Sequence, residues 1–185
     1  MENKATSWIH AGIKVLSRTG KLELNEVCRE RGKFKPSFYH IYPNDDNSRG
    51  LDRFEKDLLN HHKGVLLEFF EQTRKMYIIY TMPEIIEEFV NKLEEYYHYH
   101  CCSAHIRKLA QADDEIKEYW DNLYTEYLSL FNDFYKVYNI PENLTFDDLE
   151  LRLLFDSLLT FENEEFIEDC INIISSRLKF RQGEF

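Results

Sequence analysis

Along most of the chain, apolar residues recur three and four positions apart, the period of helices buried on one face. Trp8, Ile9, Ile13 and Leu16 predict a first helix, which the polar run Ser17-Arg18-Thr19 and then Gly20 bring to a stop. Leu24, Val27 and Cys28 predict a short second helix ending near Gly32, a residue free to take the left-handed conformation of a tight turn. Pro36 fits the first turn of a third helix, where its missing N–H costs nothing, with Phe38 and Tyr42 facing inward. Pro43 and the polar run from Asn44 to Ser48 close that helix.

A long helix is predicted from Leu51, with Phe54, Leu58, Val65, Phe69 and Met76 on one stripe and Leu59, Leu66 and Phe70 widening it toward more than one neighbour. After Pro83, Ile86, Phe89, Val90, Leu93 and Tyr97 predict another helix, and Ser103 is read as the cap of a shorter one carrying Ile106 and Leu109. Asp113-Asp114-Glu115 forms an acidic first turn for a helix through Trp120, Leu123, Tyr127, Phe131, Phe134 and Tyr138, ended by Pro141. Thr145, with Asp148 three residues on, reads as a variant capping box for a helix carrying Phe146, Leu149, Leu153, Leu154 and Leu158. A last helix carries Ile167, Cys170, Ile171, Ile174 and Leu178. No strand signal competes: Tyr77-Ile78-Ile79-Tyr80 is β-prone but short. The prediction is an all-α chain.

Composition agrees, since six glycines and four prolines in 185 residues leave little material for hairpins. Cys28, Cys101, Cys102 and Cys170 have no paired spacing, and the first residues carry no signal-peptide pattern, so a reducing cytoplasm is expected. No stretch is long and apolar enough for a membrane span, so no membrane partner is expected. A net charge of −11 argues against nucleic acid until its distribution is considered. Residues 1 to 64 hold 12 basic and 9 acidic side chains, net +3, whereas residues 65 to 185 hold 11 and 25, net −14. A basic head on an acidic body meets DNA one way round, with a modest attraction that salt weakens.

Helix, short helix, turn around Gly32, third helix is the order of a helix-turn-helix, in which the second helix crosses the DNA backbone and the third enters the major groove. The stretch Gly20-x-x-x-Leu24-x-x-Val27-Cys28-x-x-x-Gly32-x-x-Lys35-Pro36-Ser37-Phe38-Tyr39-His40-x-Tyr42-Pro43 resembles the signature of the TetR family of transcriptional regulators. The resemblance implies a three-helix DNA-binding domain over residues 1–48 and a helical effector-binding and dimerisation domain over 49–185. It implies DNA contacts from Lys33, Lys35, Ser37, Tyr39 and His40, with Lys35 and Tyr39 on phosphates and Lys33 and His40 nearer base edges. The pattern is not followed throughout. Glu23 stands where the family usually has Thr or Ser, Asp45 where it has Lys, and Phe34 where the third helix has a small polar cap. Both acids fall near expected phosphates, and Arg49 is a candidate replacement for the missing lysine.

Other groupings bear on chemistry. Phe89, Tyr97, Trp120, Tyr124, Tyr127 and Phe131 form an aromatic stripe that reads either as plain core or as the wall of an effector pocket for a flat, apolar or cationic molecule. The two final helices are apolar on more than one face, which makes Leu151, Phe155, Leu158, Ile167, Ile171 and Ile174 the expected dimer surface. His98 and Cys102, like Cys101 and His105, are four apart, but a pair of ligands is not a zinc site, and no metal or other cofactor is expected. No phosphate loop or activated nucleophile is present, and the paired acids Glu87-Glu88, Glu94-Glu95, Asp147-Asp148 and Glu164-Glu165 suit solvent-facing turns, so no enzyme is expected. The expectation is a homodimeric repressor that binds a pseudo-palindromic operator and is released by a small-molecule effector. The alternative is a helical ligand-binding or interaction protein of the same architecture with weak or lost DNA affinity, prompted by Glu23 and Asp45.

Overall fold

A computed structural model of the chain describes residues 4–46, 48–80, 84, 88, 92, 96–111, 113–142 and 145–158. Among them are seven helices and no strand: α1 (Lys4–Thr19), α2 (Leu24–Arg31), α3 (Lys35–Ile41), α4 (Gly50–Met76), α5 (Tyr97–Leu109), α6 (Asp114–Val137) and α7 (Asp148–Leu158). The expected all-α class is therefore what the described residues adopt. Most of the helix expected between Ile86 and Leu93, and all of the one from Ile167 to Leu178, lie outside them. Two compact units are present, Met1–Leu66 and Leu67–Phe185. No helix among the described residues is long and apolar enough to cross a membrane.

In the first unit, α1 buries Trp8, Ile13, Val15 and Leu16, and α2 adds Val27 and Cys28. Polar ties hold these two helices together at the edge: Arg31 Nε donates to Ser7 Oγ at 3.1 Å, and Arg18 pairs with Glu30 at 3.4 Å. Gly12 is buried where α1 meets the start of α4; a Cβ there would lie 2.7 Å from Leu58 Cδ1 and 2.8 Å from Phe54 Cζ. Phe54 and Leu58 are themselves fully buried, so neither side chain has room to yield.

In the second unit, the later part of α4 is tied to α6. Arg74 Nε donates to Asp133 Oδ2 at 3.1 Å, and Tyr77 OH donates to the Leu130 carbonyl at 3.4 Å. Tyr138, at the C-cap of α6, donates its hydroxyl toward the carbonyls of Tyr80 (2.7 Å) and Tyr77 (3.2 Å), satisfying acceptors that the end of α4 leaves open. Asp113 caps α6 by accepting from the amides of Glu115 (3.0 Å) and Ile116 (3.1 Å), as its acidic first turn predicts.

Two expected caps differ. Ser103 lies inside α5, which starts at Tyr97, because its hydroxyl donates back to the Tyr99 carbonyl at 3.0 Å and needs no helix end. The capping box of α7 belongs to Asp147 and Glu150: the Glu150 amide donates to Asp147 Oδ1 at 2.8 Å and the Asp147 amide to Glu150 Oε2 at 3.1 Å. Thr145 instead donates to the Glu142 carbonyl at 2.7 Å, so its hydroxyl serves the preceding turn.

Gly50 opens α4 with its amide donating to Asn44 Oδ1 at 2.7 Å, and a Cβ there would overlap the Tyr42 carbonyl oxygen. Because that oxygen is backbone, no rotamer change relieves the overlap. Gly50→Ala is expected to destabilise the chain by about 1–3 kcal/mol. Gly64→Ala, in the same helix with nothing within 4 Å of the new carbon, is expected to be neutral or stabilising by up to about 1 kcal/mol. Urea unfolding followed by far-UV circular dichroism checks the pair; equal shifts would contradict the assigned contact.

Candidate nucleic-acid interface

The turn between α2 and α3 is built on Gly32. Its φ of 65° and ψ of 35° place it in the left-handed region, its amide donates to the Arg29 carbonyl at 3.1 Å, and the Lys33 amide donates to the Cys28 carbonyl at 3.0 Å. These bonds close the carbonyl end of α2 and reverse the chain within three residues, Gly32, Lys33 and Phe34. Pro36 sits in the first turn of α3, as its fixed φ favours.

α3 has seven residues and one anchored face. Phe38 is fully buried, edge-on to Trp8 at 5.5 Å and to Phe54 at 5.2 Å and stacked on Tyr42 at 5.2 Å. Burial and the nearby Asp57 carboxylate push the Tyr42 phenol up to about 12, so it stays neutral in the core. With Phe38 and Tyr42 turned in, Lys33, Lys35, Ser37, Tyr39 and His40 are all exposed. Lys35 and Tyr39 are four apart, and Ser37 and His40 three apart, so each pair shares a side of α3, with Lys33 exposed on the turn before it. Neither lysine makes an ion pair among the described residues. Such side chains can donate hydrogen bonds to phosphate oxygens and to the acceptor atoms of base edges.

The three departures from the family pattern take definite places. Glu23 is exposed at the N-cap of α2 without capping it through its side chain. Asp45 accepts from Arg53 NH1 at 2.7 Å and from the Ser48 amide at 2.9 Å, so its charge is largely answered from within the chain. Arg49 reaches Asp52 through two bonds, 3.2 Å from Nε and 2.9 Å from NH2; the guanidinium offered as a replacement for the missing lysine already faces a carboxylate. Phe34, at the N-cap of α3, is 84 % exposed. Beside it lies an open hollow of about 680 Å³ that includes Asn25, Cys28, Gly32 and Pro36 in its lining. Burial pushes the Cys28 thiol up, with Lys35 opposing, so the sulfur at this hollow is a neutral thiol. The hollow has no signal in the local sequence, because it arises only when the turn brings α2 against the start of α3.

In the second unit, the expected pocket and dimer residues meet each other. Phe155 of α7 is fully buried with its ring 5.2 Å from Trp120, 5.2 Å from Tyr124 and 5.0 Å from Tyr127. Phe131 continues the stack, 4.8 Å from Tyr127 and 6.4 Å from Phe146. Leu151 is also buried, while Leu149 and Leu153 of α7 are exposed, at 69 % and 58 %. Arg152 closes the edge over the Tyr124 ring at 4.3 Å. Tyr97 begins α5 and Leu158 ends α7; their side chains, with Phe89, Ile167, Ile171 and Ile174, lie outside what is described. His98 is exposed and His105 half-buried, whereas His62, His100 and Cys102 are fully buried. Among the described residues no three His, Cys, Asp or Glu side chains gather as a metal site.

Comparison with protein-family models, curated proteins and solved structures returns no match to this chain.

Two substitutions probe these arrangements. Gly32→Ala adds no clash, since nothing lies within 4 Å, but must hold a left-handed φ; a loss of about 1–2 kcal/mol is expected, with Gly32→Asn losing less. Thermal unfolding compares the two, and an undiminished Gly32→Ala would show that the turn relaxes elsewhere. Phe155→Ala is expected to cost about 3–5 kcal/mol by leaving a cavity among Trp120, Tyr124 and Tyr127, whereas Leu153→Ala should stay within about 0.5 kcal/mol. A mild Phe155→Ala in chemical denaturation would mean that the aromatic cluster closes over the missing ring.

Proposed function

We propose that the chain is a sequence-reading DNA-binding regulator of the TetR type whose first unit carries a helix-turn-helix. The observation that carries this reading is the arrangement around α3. A short helix, set by a left-handed glycine turn and anchored through Phe38, presents Lys33, Lys35, Ser37, Tyr39 and His40 outward. Phosphate contacts from Lys35 and Tyr39 position the helix, and Lys33 and His40 reach toward base edges. The ion pair between Asp45 and Arg53 supports it further, because the acid that most contradicts a phosphate contact is answered within the unit.

In this reading the protein acts as a homodimer on a pseudo-palindromic operator, its two recognition helices about 34 Å or a multiple apart. It acts as a repressor, and a small-molecule effector that binds the DNA-incompetent state more tightly releases it; a difference of about 1–3 kcal/mol suffices for ordinary coupling. Leu149 and Leu153, exposed on α7, are apolar side chains available to a second copy. A second reading, a helical ligand-binding or interaction protein with weak or lost DNA affinity, keeps its support from Glu23, which is exposed at the N-cap of α2.

Fluorescence anisotropy with random-sequence and upstream duplexes, titrated with salt, separates the two readings. The regulator reading expects affinity that falls steeply with salt. It also expects Lys35→Ala with Tyr39→Ala to weaken binding by at least about tenfold and to lower the salt slope by about one. Binding that never rises above the non-specific level at low salt would favour the second reading.

A further inference from the structure

Phe34 is the feature of the first unit that the helix-turn-helix reading does not use. At 84 % exposure it is the most exposed large apolar side chain among the described residues there, placed between Lys33 and Lys35 and beside the hollow that Cys28, Gly32 and Pro36 help to line. A ring left in water at this position gains nothing for the fold: α3 is anchored through the buried Phe38, and Phe34 makes no side-chain cap for the helix.

We propose that Phe34 and this hollow read the C5-methyl group of a thymine in the major groove, making Phe34 a specificity-determining residue of the protein. The proposal rests on the DNA-binding reading above. Thymine alone among the bases offers an apolar methyl in that groove, next to its O4 acceptor; cytosine offers an amino group and no methyl. The neutral Cys28 thiol, Pro36 and the Phe34 ring supply apolar contact, while Lys33 and Lys35 flank them with charge suited to the phosphates on either side. A protein partner fits less well. One exposed aromatic ring offers on the order of 200 Å², against about 800 Å² per partner in a stable interface, and Asn25, Arg29, Lys33 and Lys35 around the same hollow are polar or charged rather than an apolar continuation.

The test uses the full chain. A random-sequence duplex pool is enriched for binding, and each thymine of the recovered site is then replaced singly by uracil, which removes the methyl and leaves the pairing edge unchanged. Anisotropy at fixed salt compares the wild type, Phe34→Ala and Phe34→Leu. The expected result is that uracil at one thymine position weakens wild-type binding by about four-fold, the value of one buried methyl-sized group. Phe34→Ala binds the thymine site more weakly and no longer distinguishes uracil there, while Phe34→Leu keeps part of the discrimination. Because the ring is exposed, all three proteins should melt alike. Wild-type binding indifferent to every uracil, a pool with no thymine preference, or a Phe34→Ala loss equal on thymine and uracil DNA overturns this inference and leaves the DNA-binding reading intact. A wild type that binds no duplex overturns both.

Discussion

The first unit depends on the burial of one ring. Phe38 is the residue through which a seven-residue helix, too short to hold itself in water, is fixed against the rest of its unit. Trp8, Tyr42 and Phe54 surround it at 5.2 to 5.5 Å in edge and stacked geometries, each pair adding roughly 0.5–1.5 kcal/mol beyond its area. The consequence is directional. With Phe38 and Tyr42 buried, Lys35, Ser37, Tyr39 and His40 are the side chains of α3 left exposed, and the left-handed Gly32 sets where the helix starts. The exposed set follows from the buried one.

A comparable economy holds in the second unit, with a different outcome. The aromatic residues of α6 sit at helical spacing, which is equally the pattern of a core and of a pocket wall. Phe155 packs against three of them, its ring contacting Trp120, Tyr124 and Tyr127 at once. The same contact removes Phe155 and Leu151 from the exposed face of α7 and leaves Leu149 and Leu153 there. A helix apolar on two faces thus satisfies one of them within its own chain.

What could be read from the sequence was what local physics dictates. The stop at Gly20, the turn at Gly32, the first-turn Pro36, the inward Phe38 and Tyr42 and the acidic start of α6 each depend on a few neighbouring residues, and each was legible. The positions misread were those where a polar side chain had two partners to choose between. Ser103 bonds back along α5 instead of opening a helix, and Asp147 takes the cap that the spacing assigns to Thr145. His62 and His100 are fully buried in α4 and α5, positions that their hydropathy alone does not distinguish from solvent-facing ones. The hollow beside Phe34 was invisible for another reason: its lining comes from two helices that meet only through the turn.

Charge sets how such an edge must divide its work. The net +3 of residues 1 to 64 is small, and Arg49, Arg53 and Arg18 are engaged with Asp52, Asp45 and Glu30. Phosphate neutralisation supplies the sequence-independent part of DNA affinity, so few available cations mean a weak hold on random DNA. Specificity is the ratio of specific to non-specific binding, and a low denominator raises that ratio as effectively as a strong base contact does. Apolar contact with a base edge adds to the numerator without adding charge, and an exposed ring is a means to that end in an acidic protein. On the proposed reading, the acids that weaken this chain as a general DNA binder and the phenylalanine that replaces a polar cap act in the same direction: both shift discrimination from the backbone to the bases.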